Sequence, residues 1–475
     1  MSSAISRRRI LTLLGSAGAT VAMAACGAAA TPTPAPKPVE APKPAAPAPK
    51  PAEAAKPAPT KPAEAAKPAG AAPATKAGVE FEVATRVGSD AEVMQKTVEK
   101  FNAKTGNKAK HVAYPGEPEY FAKVLAVHAT KQAADVIWSS VCCLHGFAAK
   151  GVLAELEPLI LGDKYNIEDY VKAGLDSMKL NGKLYGMPWG GHPGNGGILY
   201  NVDLLTKAGL NVTEDASSFS NVTWDQIVDA GKKARSGDVF GFSMGGDMLS
   251  FTNVTGSYGG EFLSADGKKL TIDTPEFRKG LQWIYDVHNT HKIAPTPDPK
   301  LNTGELFATG KLAMVQTGYW GQFSPGPKAI ADKFKWNVGL TPKGPAGKRG
   351  TALTINGQTV WSGTKNRDTA WEFVKFLMDP EQNVEIVLAG GGRPALRKAV
   401  LYNERLMKEN RAHKVFVESI EAAEPWKQPA NLRWTEFNAA IVQNFDNLRL
   451  GKETVDEAIK NATPRLQDII DKPML

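Results

Sequence analysis

Gly241-Phe242-Ser243-Met244-Gly245 spells G-x-S-x-G, the pattern that in α/β-hydrolases sets a serine nucleophile on a sharp strand-to-helix turn. Such a turn needs a helix after it, then an acid and a histidine downstream. The residues that follow, GDMLSFTNVTGS, lack helical apolar spacing, and His288 and His291 bring no fitting acid. His288-x-x-His291 as a metal pair has no clear third ligand nearby. No phosphate-binding loop, dinucleotide fingerprint or H-E-x-x-H occurs, and no pair of carboxylates stands out for glycoside cleavage. The sequence therefore asks for no metal, no cofactor and no catalytic role.

Cys142-Cys143 is the second reactive grouping. Adjacent cysteines can close a strained eight-membered disulfide ring, which needs an oxidising compartment and tends to persist at ligand sites. The other reading is two reduced, buried thiols. The third cysteine, Cys26, has no partner at zinc or disulfide spacing.

Cys26 instead ends an export signal. Residues 1–26 have a basic start, a short apolar stretch and small residues, too short and too rich in Gly and Ala to span a bilayer for good. Ser6-Arg7-Arg8-Arg9-Ile10-Leu11 resembles a twin-arginine signal, and Met23-Ala24-Ala25-Cys26 resembles a bacterial lipobox whose cysteine is lipidated. The alternative is a plain secretory signal with Cys26 incidental. Residues 27–78 are Ala, Pro and Lys in near-repeats and hold 14 of the 33 prolines. This stretch cannot bury a core; at ~3.1 Å per residue it would reach on the order of 150 Å. It reads as a tether off a membrane or as a thread through a cell-wall layer.

Charge follows the same division. Of the net +8, residues 1–26 carry +3 and residues 27–78 carry +4, so the rest carries only +1. A basic tail is not a basic face, and nucleic acid is not an expected partner. About 400 residues remain, too many for one core and suited to two lobes of about 200 each.

Beyond Gly78, β-rich runs alternate with amphipathic helical segments, as in α/β layers. The spacing predicts strands at 79–87, 108–114 and 135–140. It predicts helices at 91–105, 120–131, 225–234, 275–288, 368–378, 381–388, 435–450 and 455–471. Thr454 is a good N-cap for the last helix. No internal repeat is apparent.

Several blocks in order then carry a resemblance: Ala134-Asp135-Val136-Ile137-Trp138, NGKLYGMPW (181–189), LYNVDLLTKAGL (199–210), VTWDQIVDAGKKA (222–234), GKLAMVQTGYW (310–320), NRDTAWEFVKFLMDPE (366–381), GGRPALR (391–397) and LGKETVDEAI (450–459). From about Val79 onward the chain resembles family 1 extracellular solute-binding proteins, the group that includes maltose-binding protein. The resemblance implies an α/β, two-lobed periplasmic-binding-protein-like fold with several hinge crossings. One lobe would comprise 79–190 plus 343–392 and the other 195–340 plus 393–475, with crossings near 189–195, 340–342 and 391–394. It also implies the extracytoplasmic binding component of an ABC importer: a monomer, lipid-anchored to the cell membrane, delivering a carbohydrate or polyol to the permease's transmembrane subunits. The readings kept beside it are a secreted carbohydrate-active hydrolase and a sensor input domain of the same fold.

A sugar presents apolar C–H faces and a ring of hydroxyls, so its site needs flat aromatic rings and a few fixed polar groups. Trp138 follows the short strand, Trp189 stands at the first crossing, and Trp320 falls where the resembling family stacks an aromatic on its ligand. Arg393 lies in GGR at a crossing, where a guanidinium can donate paired hydrogen bonds. Ser89 and Asp90 open a helix after the first strand. His192 lies in GGHPGNGG, and Asp247 and Asn253 lie in a loop-rich stretch. Cys142 and Cys143 would offer an apolar patch. Trp224, Trp283, Trp336 and Trp371 read as core; Trp426 and Trp434 sit in an irregular segment that could form a rim.

Overall fold

The computed structural model describes residues 77–475 except Pro299, residues 324–328, Gly391, Ala422 and residues 424–425; the side chains of Ser89, Asp90, Glu117 and Pro118 are also outside the described residues. The signal, the tether and Cys26 lie outside them as well.

The chain first builds a lobe from β1 (Glu80–Arg86), α1 (Ser89–Thr105), β2 (Lys108–Tyr114), α2 (Glu117–Ala129), β3 (Val136–Ser140) and α3 (Val141–Ala149). Along α1, Met94, Val98 and Phe101 recur at helical spacing and are buried. The Phe101 ring meets Phe81 of β1 and Phe373 edge-on at 5.9 and 5.1 Å, so the helix is pinned to the sheet by aromatic contacts. Gly106 then ends α1 in the left-handed conformation, with φ of 72°. A small hairpin follows, β4 (Lys179–Leu180) with β5 (Lys183–Leu184), and then β6 (Met187–His192).

After β6, residues 193–196 carry the chain into a second lobe. This holds β7 (Gly197–Asn201), β8 (Phe240–Ser243), β9 (Leu312–Thr317) and β10 (Trp336–Leu340). Residues 341–353 then return it to β11 (Thr354–Val360) in the first sheet. The first sheet has the order β2-β1-β3-β11-β6, and the second has β10-β7-β9-β8. In the first, β1 runs parallel to β2 and β3, whereas β11 is antiparallel to both β3 and β6. In the second, β7 is antiparallel to β9 and β10, and β8 is parallel to β9. The fold is therefore α/β and two-lobed. The helices Arg367–Met378 and Pro380–Leu388 follow β11, and Trp434–Arg449 packs on Val455–Asp471 near the C-terminus.

One expectation fails in an instructive way. The stretch after Ser243 is not a loop: Met248–Ser257 is an α-helix, capped by Asp247. It lacks an apolar stripe because its buried polar side chains bond their own helix. Asn253 donates to the Leu249 carbonyl at 2.8 Å, Thr255 to Phe251 at 3.2 Å and Ser257 to Val254 at 2.7 Å. Strand and helix thus flank the G-x-S-x-G run after all. Ser243, however, is a buried strand residue with ordinary backbone angles, not a strained turn. The helix that contains His288 also differs from a plain α-helix, passing into a π-turn over Asp286–Thr290.

Candidate functional site

Two glycines decide where Arg393 stands. The segment Arg393–Leu396 lies flat along β6: Gly191 N–H donates to the Pro394 carbonyl at 2.9 Å and Leu396 N–H to the Pro188 carbonyl at 3.1 Å. A Cβ on Gly191 would overlap the Leu396 side chain, and one on Gly190 would press on the Arg393 backbone. Their bare backbone lets the late segment reach a strand formed some two hundred residues earlier, and it sets Arg393 beside His192.

These two residues help enclose a cavity of about 600 Å³ between the lobes. The first lobe contributes Arg86 and the Val87-Gly88 turn at the end of β1, Ser140 and Cys142 at the start of α3, and Thr354 and Asn356 of β11. The second contributes Asn195, Asp247, Leu249, Trp320, Trp434 and Asn438. Loops beyond strand ends therefore meet across a groove, as expected for a ligand cleft in open α/β sheets.

Trp320 is half-buried in a short turn after β9. The Arg393 guanidinium stands 5.3 Å from its ring centroid, and His192 meets it edge-on at 5.1 Å. His192 is buried, and its Nδ1–H donates to the Gly194 carbonyl at 2.9 Å, which fixes Nε2 as the acceptor. Burial first, then the positive charges of Arg393 and Arg86, hold its pKa well below the ordinary imidazole range, so the ring is neutral. The Asp247 carboxylate accepts from Ser250 N–H and Oγ–H, both at 3.0 Å, and more weakly from Asn195 Nδ2 at 3.3 Å. Asn438 Oδ1 accepts from Met248 N–H at 2.9 Å, tying the helix Trp434–Arg449 to this corner. Rigid aromatic surface and fixed polar groups in one cavity can hold a small polar guest.

Of the residues singled out from sequence, Trp320, Arg393, His192, Asp247 and Cys142 come together here. Four others do not. Trp138 is wholly buried in the first lobe, where Tyr120 packs edge-on at 5.5 Å and its hydroxyl donates to the Trp138 carbonyl at 3.0 Å. The reason is that β3 is a central strand covered on both faces. Trp189 is buried in β6 within the same core. Asn253 is spent on its own helix, as described above. Cys143 packs in the core with its thiol donating to the Ser140 carbonyl at 3.4 Å. The regular helix through Cys142 and Cys143 is the geometry of two reduced thiols, not of an eight-membered ring. Ser89 and Asp90 are the first residues of α1, next to the Val87-Gly88 turn, and their side chains lie outside the described residues.

Sequence reasoning missed Arg86, Asn195, Thr354, Asn356 and Asn438. Arg86 could have been found: it ends β1, where strand-end side chains face a cleft. Thr354 and Asn356 carry no local signal, because β11 joins the first sheet only after the chain has built most of the second lobe.

Comparison with known proteins agrees with this architecture. Residues 87–384 match the family model described as bacterial extracellular solute-binding protein. An arabinooligosaccharide-binding protein of Halalkalibacterium halodurans is 25% identical over 323 residues, covering 63% of this chain and 69% of the relative. An ABC transporter solute-binding protein of Agrobacterium vitis, solved with bound D-mannitol, superposes with a TM-score of 0.68 at 25% identity, over 82% of this chain and 98% of that one. Maltose-bound MalE3 of T. maritima gives a TM-score of 0.71 at 23% identity, over 82% and 100% of the two chains, and so shares the fold.

Proposed function

Because the chain belongs to the bacterial extracellular solute-binding protein family, we propose that it is the binding component of an ABC importer and takes a sugar or sugar-like solute between its lobes. The observation that carries the reading is the cavity of about 600 Å³ in which Trp320 stands among Arg393, Asp247, Asn356 and neutral His192. An indole offers a face to sugar C–H groups, while fixed donors and acceptors meet the hydroxyls. The arabinooligosaccharide-binding relative and the mannitol-bound neighbour support the same ligand chemistry.

The mechanism is a population shift. Ligand contacts divided between Arg86 and Asn356 on one lobe and Asp247 and Asn438 on the other are all made only when the lobes close, so the ligand favours the closed form. Residues 79–190 plus 343–392, with the stretch 393–398 that is bonded to β6 and to residues 169–171, would move against 195–340 and the remainder of 393–475, with the short crossings absorbing the change in backbone angles. The closed form is what the permease would receive. Family membership places the folded part outside the cytoplasm. The twin-arginine-like signal, the lipobox cysteine Cys26 and the Pro-rich tether would hold a monomer on the outer face of the membrane.

The protein is a binder, not a hydrolase, on this reading, and one experiment tests both halves. Residues 79–475 are incubated with arabinose, glucose, mannitol and their oligomers, then followed by thermal shift and by chromatography of the sugar. A rise in Tm with the sugar recovered intact is expected. Cleaved sugar would overturn the assignment in favour of an enzyme, and no response to any sugar or polyol would remove the ligand class.

A further inference from the structure

The chamber already described has a neighbour. A second cavity, of about 650 Å³, adjoins it at Trp320 and is walled by the run Ser243–Asp247, by Gln316 of β9 and by Asp446 and Arg449 of the helix Trp434–Arg449. Asn195, Asp247 and Trp320 belong to both walls. Either chamber alone has the volume of an ordinary small-molecule site, roughly 300–1,000 Å³. A single sugar ring in one would leave the other to water.

The second chamber is as polar as the first. Arg449 donates to Asp446 Oδ1 at 3.1 Å and to the Met244 carbonyl at 3.2 Å. Gln316 donates from Nε2 to the Ser250 carbonyl at 3.1 Å, while among the described residues its Oε1 has no hydrogen-bond partner, and neither has Arg449 Nε. The first chamber has the same feature at Thr354 Oγ1 and Asn356 Nδ2. Buried polar atoms are rarely left so. All four belong to side chains that line a chamber, so a small side-chain rotation presents each to a guest. A guest with hydroxyls at both ends answers both sets, whereas a single ring answers one. The junction differs from the chambers: it offers the indole and a carboxylate already held by Ser250 and Asn195, which suits a linkage between rings better than a ring edge.

We propose that the physiological ligand is an oligosaccharide of at least two units, lying with one unit in each chamber and its linkage beside Trp320 and Asp247. This rests on the sugar reading above and goes further by fixing ligand length and assigning Gln316 and Arg449 to the outer unit. A third unit would have to extend beyond these two chambers.

The test is calorimetric titration of residues 79–475 with two ladders, arabinose to arabinotriose and glucose to maltotriose, on the wild type, Gln316→Ala and Arg449→Gln. In the ladder that binds, affinity is expected to rise at least tenfold from one unit to two. The ratio of two-unit to one-unit affinity is expected to fall in both variants, and since it is a ratio it tolerates a general loss of stability. If a monosaccharide binds as tightly as its dimer, or if the ratio is unchanged in both variants, the length assignment is overturned while the sugar reading stands. Silence in both ladders together with silence to mannitol would remove the sugar reading itself.

Discussion

The Arg393 guanidinium stands 5.3 Å from the centroid of the Trp320 ring, although the two residues come from segments more than seventy positions apart. Trp320 thereby has a cation over its ring and an imidazole set perpendicular to it, and a swing of the indole would give up both contacts. A preorganised aromatic of this kind costs little side-chain entropy when a ligand arrives.

Trp320→Ala is expected to weaken ligand binding by tenfold or more, in keeping with the loss of a buried aromatic anchor from a binding site, about 2 kcal/mol. Because the residue is half-buried in a short turn, Tm without ligand should change little. Titration of the ligand identified by the thermal-shift screen checks it, and an unchanged Kd would take Trp320 out of the site.

Arg393 can be tested through its neighbour. Its charge is the second cause, after burial, of the low His192 pKa. Arg393→Gln should raise that pKa, and Arg393→Lys should leave it low. Both should weaken binding, since lysine keeps the charge and loses the paired donors. NMR titration of the His192 ring in the two variants separates charge from hydrogen-bond geometry. A His192 pKa that does not move in Arg393→Gln would show that burial alone sets it.

Eight of the helices and the strands β1, β2 and β3 could be read from periodicity, because elements such as α1 and β2 are set by local apolar spacing and end at Gly106 and Tyr114, whereas β6, β11 and helices such as Val141–Ala149 and His413–Glu421 could not. Trp320, Arg393 and Asp247 could be picked out because each sits at the end of an element or beside a crossing. Trp138 and Trp189 misled for a matching reason. An aromatic on a central or closely covered strand points into a layer, and only the strand's neighbours decide this. The helix Met248–Ser257 was hidden by its own polar side chains, which donate to backbone carbonyls one turn back in a buried setting that a linear pattern does not reveal.

Trp138 supplies a contrast to Trp320. It is fully buried against Tyr120, and Arg86 lies 4.6 Å over its ring. Trp138→Ala should cost about 3–5 kcal/mol of stability. Trp138→Phe should cost less and should change ligand affinity by under about threefold, apart from any shift transmitted through Arg86. Denaturant unfolding beside a ligand titration checks this. A loss of affinity in Trp138→Phe as large as in Trp320→Ala would return Trp138 to the site.

Acid should unfold this protein through its buried histidines. Burial, and then the charge of Arg449, push His288 down from 6.5 to about 3. Burial, helped by Arg393 and Arg86, also takes His192 well below its ordinary value. In both cases the folded pKa lies below the unfolded one, so the unfolded chain binds protons first as pH falls. The stability these residues permit is intact above about pH 6.5 and is lost from there down toward the folded pKa, by at most about 1.4 kcal/mol per pH unit for each. His111, His145 and His413 are lowered by burial too and share the slope. Tm measured from pH 7.5 to 4.5 should therefore fall in the wild type and fall less steeply in His288→Gln, whatever the variant's starting Tm. Parallel curves for the two proteins would mean that His288 titrates alike in the folded and unfolded chain, so that neither burial nor Arg449 lowers its pKa.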